Sequence, residues 1–429
     1  MAHTLRARDD LLNHNHHHGR LAGPPPPLRL HAPGQMIRRT AIEIAAAVRS
    51  GAVGASDVVE EAIAAAERLD PVLHFLDELD AAGARAAAQR VKPDGLLAGV
   101  PFLIKSRTPP DAPIIARLLA AGAIPIGWST RARPGATSLT FGWNGTEYTR
   151  NPWDLSRSPG GSTAGGAAAV AAGVVPLATG GDSGGSLRIP ASFSGVVGFK
   201  GTYGRIPRPG GRPLGGLTTA GVIGADLDDV ILATSIASGP HRLDPNALPP
   251  WPVPARSSGG RTRRIAYRST LGACAADPGV DRVVRERLLA AGVEVVDVPL
   301  ELAPTDEAWQ ALSDLDNGRG VEESAAKRAR EVRDFNNTAL ADLFAEVDVL
   351  VTPTTLTVAH GYDQHEETIV TGDPCWVFNV TGHPAVSVPA GRSQGLPVGL
   401  QVVAPHGADE VALAVARLLL VELPLPPVR

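Results

Sequence analysis

From Thr40 onward, the chain alternates between two hydrophobic patterns. Stretches with apolar residues three and four apart alternate with short, continuous apolar runs. The first pattern predicts amphipathic helices and the second predicts buried strands. Thr40-Ala41-Ile42-Glu43 sets a hydroxyl and a carboxylate three positions apart, a capping box that opens a helix through Arg49. Ser56 is expected to cap a second helix to about Leu69, with Val58, Val59, Ala62 and Ala65 on one face. The alanine-rich stretch 77–91 reads as helix. The run 99–104 is short and apolar, as in a strand buried on both faces. A helix over 112–121 and a strand over 124–127 follow.

Further along, the same reading gives helices at 226–238, 278–291, 322–346 and 409–420. It gives strands at 264–267, 293–298 and 347–352, and a closing strand pair at 384–388 and 398–403. Helix and strand alternate throughout, so the predicted class is α/β with a mixed sheet covered on both faces. Residues 1–36 break this pattern. They carry His3, His14, His16, His17, His18 and His31 beside the proline run 24–27. They are expected to form a disordered extension, or to precede a true start at Met36. Metal binding by His16–His18 is the alternative, but no second cluster with ligand spacing accompanies it.

Composition narrows the function. The chain has 429 residues, 44% hydrophobic and 20% charged, enough to bury a large core. Its net charge is −4, with no basic stripe and interleaved aromatics, which argues against nucleic-acid binding. The cysteines, Cys274 and Cys375, are far apart and form no CxxC. A disulfide framework or cysteine-rich zinc site is therefore not expected, and a reducing, cytoplasmic location fits. No apolar run reaches the roughly 18 residues of a membrane span, and the N-terminus lacks an apolar signal region. Many of the 47 glycines cluster within 159–210, where the backbone must turn tightly or approach a ligand.

That stretch holds Ser158-Pro-Gly-Gly-Ser-Thr-Ala-Gly-Gly166 and Gly180-Gly-Asp-Ser-Gly-Gly-Ser-Leu-Arg-Ile-Pro190. A phosphate cradle is disfavoured, because no Gly-Lys-Ser/Thr follows. Gly181-Asp182-Ser183-Gly184-Gly185 fits both G-x-S-x-G and the GDSGG string of chymotrypsin-like proteases. Either would make Ser183 a nucleophile served by a histidine such as His360, His365, His383 or His406. A third reading uses more residues. Ser162 and Ser186 each follow Gly-Gly. A helix at 167–172 and a strand at 174–179 between them could return both turns to one sheet edge. Lys105 ends the apolar run 100–104. Desolvation at such a position lowers a lysine pKa from its usual value of about 10.4, allowing a neutral base. Lys200 is the competing candidate for that base.

On these residues the sequence resembles the amidase signature family. The matching block runs from Pro159-Gly-Gly-Ser-Thr-Ala-Gly-Gly166 through Gly180–Ala191 to Gly198-Phe-Lys-Gly-Thr-Tyr-Gly-Arg-Ile-Pro207. Leu97-Ala-Gly-Val-Pro-Phe-Leu-Ile-Lys105, Asn151-Pro-Trp-Asp154 and Phe378-Asn-Val-Thr-Gly-His-Pro-Ala385 extend it. The resemblance implies a single domain over 37–429, with its signature core at about 97–210. It implies an α/β/α sandwich whose mixed sheet has about 10–11 strands. It also implies a Ser–cis-Ser–Lys triad. Ser186 would attack an amide carbonyl, Ser162 would relay the proton, and Lys105 would be the base. The N–H groups of Ser183, Gly184, Gly185 and Ser186 would form the oxyanion hole. Asp182, Arg188 and Thr163 would support the loop. No cofactor or metal is expected.

The sequence departs from the family pattern in four places. Thr163 replaces a serine, Gly181 replaces a threonine, and Ser106 replaces an acidic or polar residue. The family's glycine- and threonine-rich loop after the lysine is missing, because Thr108-Pro-Pro-Asp-Ala-Pro follows Lys105 almost at once. The leading expectation is hydrolysis of a small carboxamide or urea-like bond. The alternatives are acyl transfer to an amine or ammonia, and a catalytically silent member. Trp309, Trp376 and Phe378 are candidate pocket walls. The expected partner is a small-molecule amide, and a homodimer or a small accessory subunit is compatible.

Overall fold

A strand whose residues are all apolar must be covered on both faces, and residues 101–105 form one that is apolar up to its last position. In the computed structural model Phe102 and Ile104 enter one apolar cluster and Leu103 enters another. The structure describes residues 39–134, 140–209, 216–253, 263–272, 274–362 and 373–428; the expected extension at 1–36 lies outside them.

The strands in chain order are β1 (Leu76–Leu79), β2 (Pro101–Lys105), β3 (Ile124–Ser129), β4 (Arg131–Ala132), β5 (Gly142–Trp143), β6 (Leu177–Asp182) and β7 (Val197–Lys200). Then come β8 (Thr219–Gly224), β9 (Arg264–Tyr267), β10 (Glu294–Val296), β11 (Val349–Pro353), β12 (Ala385–Ser393) and β13 (Leu396–Val403). Eleven of them form one sheet, in the order β1-β3-β2-β6-β8-β7-β12-β13-β11-β9-β10. β2 runs parallel to β3 and β6, and β9 runs parallel to β10 and β11. The remaining pairs are antiparallel, so the sheet is mixed. β4 and β5 form a separate ribbon.

Helices cover both faces. Ala41–Arg49, Pro113–Ala120, Leu227–Ala237, Pro278–Ala290 and Asp409–Leu419 bury side chains in the cluster that holds Phe102. Ala55–Leu73, Ala81–Ala88 and Ala164–Ala171 pack with Leu103, Ala178 and Ile223 on the other face. The predicted capping box is present. Thr40 Oγ1 accepts from Glu43 N–H, and a Glu43 oxygen accepts from Thr40 N–H.

The structure corrects several predicted elements. Ser56 lies inside the second helix, whose N-cap is Gly54, and the helix runs on past Pro71 to Leu73. Residues 77–91 are not one helix. Leu76–Leu79 pairs with β3, and a helix begins only at Ala81, capped by Asp80, whose carboxylate accepts from Gly83 N–H. β7, β8 and the helices Arg188–Ser194, Asp306–Asp316 and Asp373–Thr381 were not anticipated. In β8 glycine conceals the strand. Gly221 faces the Phe199 carbonyl so closely that a Cβ would come within 2.6 Å of that oxygen.

Candidate active site

β2 and β6 are adjacent and parallel, so their C-terminal ends reach the same edge of the sheet. Lys105 is the last residue of β2. Asp182 is the last of β6, and Ser183–Ser186 follow it directly. Ser162 lies just before the helix Ala164–Ala171, which is buried along its whole length and leads back into β6. The expected convergence of the two Gly-Gly-Ser turns thus follows from one helix and one strand. Two backbone bonds seat the first turn. Thr163 N–H donates to the Ser186 carbonyl at 3.3 Å, and Ala132 N–H donates to the Ser162 carbonyl at 3.2 Å. The Gly161–Ser162 peptide is cis.

Lys105 Nζ lies 2.8 Å from Ser162 Oγ and 3.1 Å from Thr163 Oγ1. Burial pulls its pKa down to about 7; Asp182 opposes that shift and the nearby Arg131 cation adds to it. The threonine that replaces the usual serine therefore supplies a second oxygen to the lysine. In place of the missing loop, a tight turn folds back on β2. Thr108 N–H and Oγ1 both donate to the Lys105 carbonyl, at 3.1 and 2.7 Å. Ser106 Oγ donates to Asp77 at 2.5 Å.

The 182–187 loop is organised by a buried ion pair. Arg188 Nε and Nη2 donate to the two Asp182 oxygens at 2.9 and 2.8 Å, with both side chains fully buried. Burial pushes the Asp182 pKa up, but Arg188 and the Asn379 amide outweigh it and hold the carboxyl below its usual range. Arg188 also donates to Gln401 Oε1, Asn379 Oδ1 and the Cys375 carbonyl. Asp182 in turn accepts from Gly185 N–H at 2.7 Å and Leu187 N–H at 3.1 Å. Gly185 N–H is therefore already committed, which removes it from the expected oxyanion donors. Among the described residues, the N–H groups of Ser183, Gly184 and Ser186 donate to no protein acceptor. Ser186 keeps 8% of its surface exposed, whereas Asp182 and Arg188 keep none.

Trp309 has a role that its sequence context did not reveal. Its Nε1–H donates to the Ser183 carbonyl at 2.6 Å, which fixes the peptide that presents Gly184 N–H. A Cβ on Gly184 would sit 2.9 Å from Nε1, so glycine is what lets the indole close on the loop. Trp309 stacks on Trp376 with centroids 5.4 Å apart, and both rings are half-buried beside the loop. Phe378 does not join them. It is fully buried with Leu340, Leu350 and Val403 and is a core residue, because the helix Asp373–Thr381 turns that face inward. Asn379 and Gln401, which complete the ion-pair network, lie far from the Gly-rich block in sequence and carried no local signal.

The competing candidates lie elsewhere. Ser183 Oγ is paired with Thr218 Oγ1 at 2.8 Å, not with a histidine. His360 contacts Thr140 and Gly361, and His383 contacts Thr381 and packs against the tilted ring of His406; His365 is outside the described residues. Lys200 is buried and also pulled down to about 7, but among the described residues its Nζ reaches only the Gly201 carbonyl, at 3.4 Å. Both lysines are shifted, and only Lys105 lies against a serine hydroxyl. Among the described residues, no three His, Cys, Asp or Glu side chains are grouped to hold a metal, and no helix is long and apolar enough to cross a membrane.

Comparisons with known proteins identify relatives of the chain and of its fold. A model of the amidase family matches residues 106–315 and 316–413, starting immediately after Lys105. The chain is 31% identical to a glutamyl-tRNA(Gln) amidotransferase subunit of Symbiobacterium thermophilum, over 86% of this chain and 93% of that protein. A bacterial aryl acylamidase of the amidase signature enzymes shares the fold, with a TM-score of 0.78 and 24% identity over 89% of this chain and 96% of that one. The corresponding amidotransferase subunit of Thermotoga maritima does so with a TM-score of 0.73 and 24% identity, over 87% and 95%.

Proposed function

The chain belongs to the amidase family, and from that premise we propose that it cleaves a carboxamide C–N bond through an acyl-enzyme on Ser186. The observation that carries this reading is the 2.8 Å contact between Ser162 Oγ and a lysine whose pKa lies near neutrality. With the amine neutral, the Ser162 hydroxyl donates to Nζ and can take the Ser186 proton in turn. Ser186 Oγ then adds to the amide carbonyl. The N–H groups of Ser183, Gly184 and Ser186 receive the oxyanion, and one well-placed donor of this kind is worth about 3–4 kcal/mol. The proton held by the relay passes to the leaving nitrogen as the C–N bond breaks. Water, activated through the same relay, hydrolyses the ester and restores the serine.

A second reading follows from the curated relative, whose name is that of an amidotransferase component. Here ammonia or an amine replaces water as acceptor of the acyl group, or the released ammonia passes on to a partner protein. Steady-state assays on a panel of small amides, with and without hydroxylamine, separate water from an amine as acceptor of the acyl group. Hydrolysis gives acid, transfer gives hydroxamate in excess over acid, and a silent member gives neither. The reading requires that Ser186→Ala abolish whichever product is seen. Product formation that survives Ser186→Ala rejects it.

A further inference from the structure

β4 follows β3 closely, and β3 pairs Ser129 with Lys105. β4 therefore carries Arg131 alongside the proposed catalytic group. Its neighbour Ala132 is tied through N–H to the Ser162 carbonyl at 3.2 Å, and Arg131 itself pairs across the ribbon with Trp143. The Arg131 backbone is thus fixed on both sides. The side chain is half-buried and, among the described residues, makes no ion pair or hydrogen bond. Arg107, exposed at the turn that replaces the longer loop, adds a second positive charge to the same neighbourhood. The nearby carboxylate, Asp77, already accepts from Ser106 Oγ. Burial and the Arg107 charge both disfavour the Arg131 cation, and Asp77 only partly offsets them. A guanidinium held in this way, beside a cation and without an acceptor, is one for which a bound carboxylate supplies the missing partner.

We propose that Arg131 is a specificity residue that binds a carboxylate on the substrate, so that the preferred substrates are amides carrying an anionic group a few bonds from the scissile carbonyl. This rests on the acyl-enzyme reading above. No bond forms or breaks at Arg131. It orients the substrate by a charge-assisted, bidentate contact, and Arg107 raises the local positive potential.

The test uses the full chain and matched amides: succinamate and glutaramate against butyramide and 4-aminobutyramide. Two readouts are kcat/KM and protection of Ser186 from a fluorophosphonate probe, the second of which needs no turnover. The wild type is expected to favour the anionic amides by about 10- to 100-fold over butyramide, mainly through KM. Arg131→Gln should collapse that ratio toward one, Arg131→Lys should restore part of it, and Arg131→Glu should invert it toward 4-aminobutyramide. If Ser186 is labelled or neutral amides turn over, but the ratio is near one in the wild type or unchanged in Arg131→Gln, the carboxylate assignment falls and the amidase reading stands. If Ser186 is neither labelled nor needed for turnover, both fall.

Discussion

Thr163 joins the two Gly-Gly-Ser turns, because its amide donates to the Ser186 carbonyl at 3.3 Å while its hydroxyl oxygen lies 3.1 Å from Lys105 Nζ. One residue thereby touches both ends of the proposed relay. Thr163→Val keeps the shape and the amide bond but removes the second oxygen at the lysine. It should lower kcat/KM about 3- to 30-fold without unfolding the protein, as expected for one lost hydrogen bond. Thr163→Ser should retain nearly full activity. Steady-state kinetics together with thermal melts check both.

The pH profile reports on Lys105. In the proposed relay its neutral form is the base, and burial pulls the pKa down to about 7. The rate should therefore rise as pH increases through about 7 and level off above it. Arg131 helps to lower that pKa, so Arg131→Gln should raise it and move the acidic limb to higher pH. Lys105→Ala should lose about 10²- to 10⁴-fold in kcat, as general bases typically do. Profiles of kcat against pH for the three proteins check this.

Breaking the Asp182–Arg188 pair leaves an uncompensated buried charge. Arg188→Met should destabilise the fold by about 3–5 kcal/mol, measured by urea unfolding at neutral pH. The sign with pH follows from the depressed carboxyl. Asp182 is held below its ordinary value in the folded state, so its contribution is fully present above about pH 4 and is lost as pH falls further. The wild type should therefore lose stability on acidification more steeply than Arg188→Met.

Trp309 should behave as a positioning residue for the oxyanion loop. Trp309→Phe keeps an aromatic ring against Trp376 but removes the N–H that holds the Ser183 carbonyl. A decrease of about tenfold in kcat, with KM changed less than about threefold, is expected if the peptide presenting Gly184 N–H drifts. Gly184→Ala should be worse, because its Cβ would collide with the indole.

The fold was legible where patterns were strong. The capping box at Thr40 and Glu43 and the apolar strand ending in Lys105 appear near their predicted limits, and the closing pair β12–β13 is present, with β12 running on to Ser393, past its predicted end at 388. It was obscured where tertiary contacts override local pattern. β1 carries Asp77 and Glu78 in four residues, and only its pairing with β3 makes it a strand. β8 has glycines where close packing excludes side chains, so it shows no alternation. At the candidate site, Lys105, Ser162 and Ser186 are proposed from motifs. The commitment of Gly185 N–H to Asp182, the core position of Phe378 and the placement of Arg131 depend on three-dimensional packing that no short string encodes.

The most direct test is to treat the protein with a fluorophosphonate probe from acidic to basic pH and locate the adduct by intact and peptide mass spectrometry. The expected result is one phosphonyl group per chain, on Ser186. Labelling should rise with pH through about 7, slow strongly in Lys105→Ala and Ser162→Ala, and be retained in Ser183→Ala. An adduct on Ser183, or labelling of Ser186 whose rate and pH dependence are unchanged in Lys105→Ala, would contradict the proposed relay.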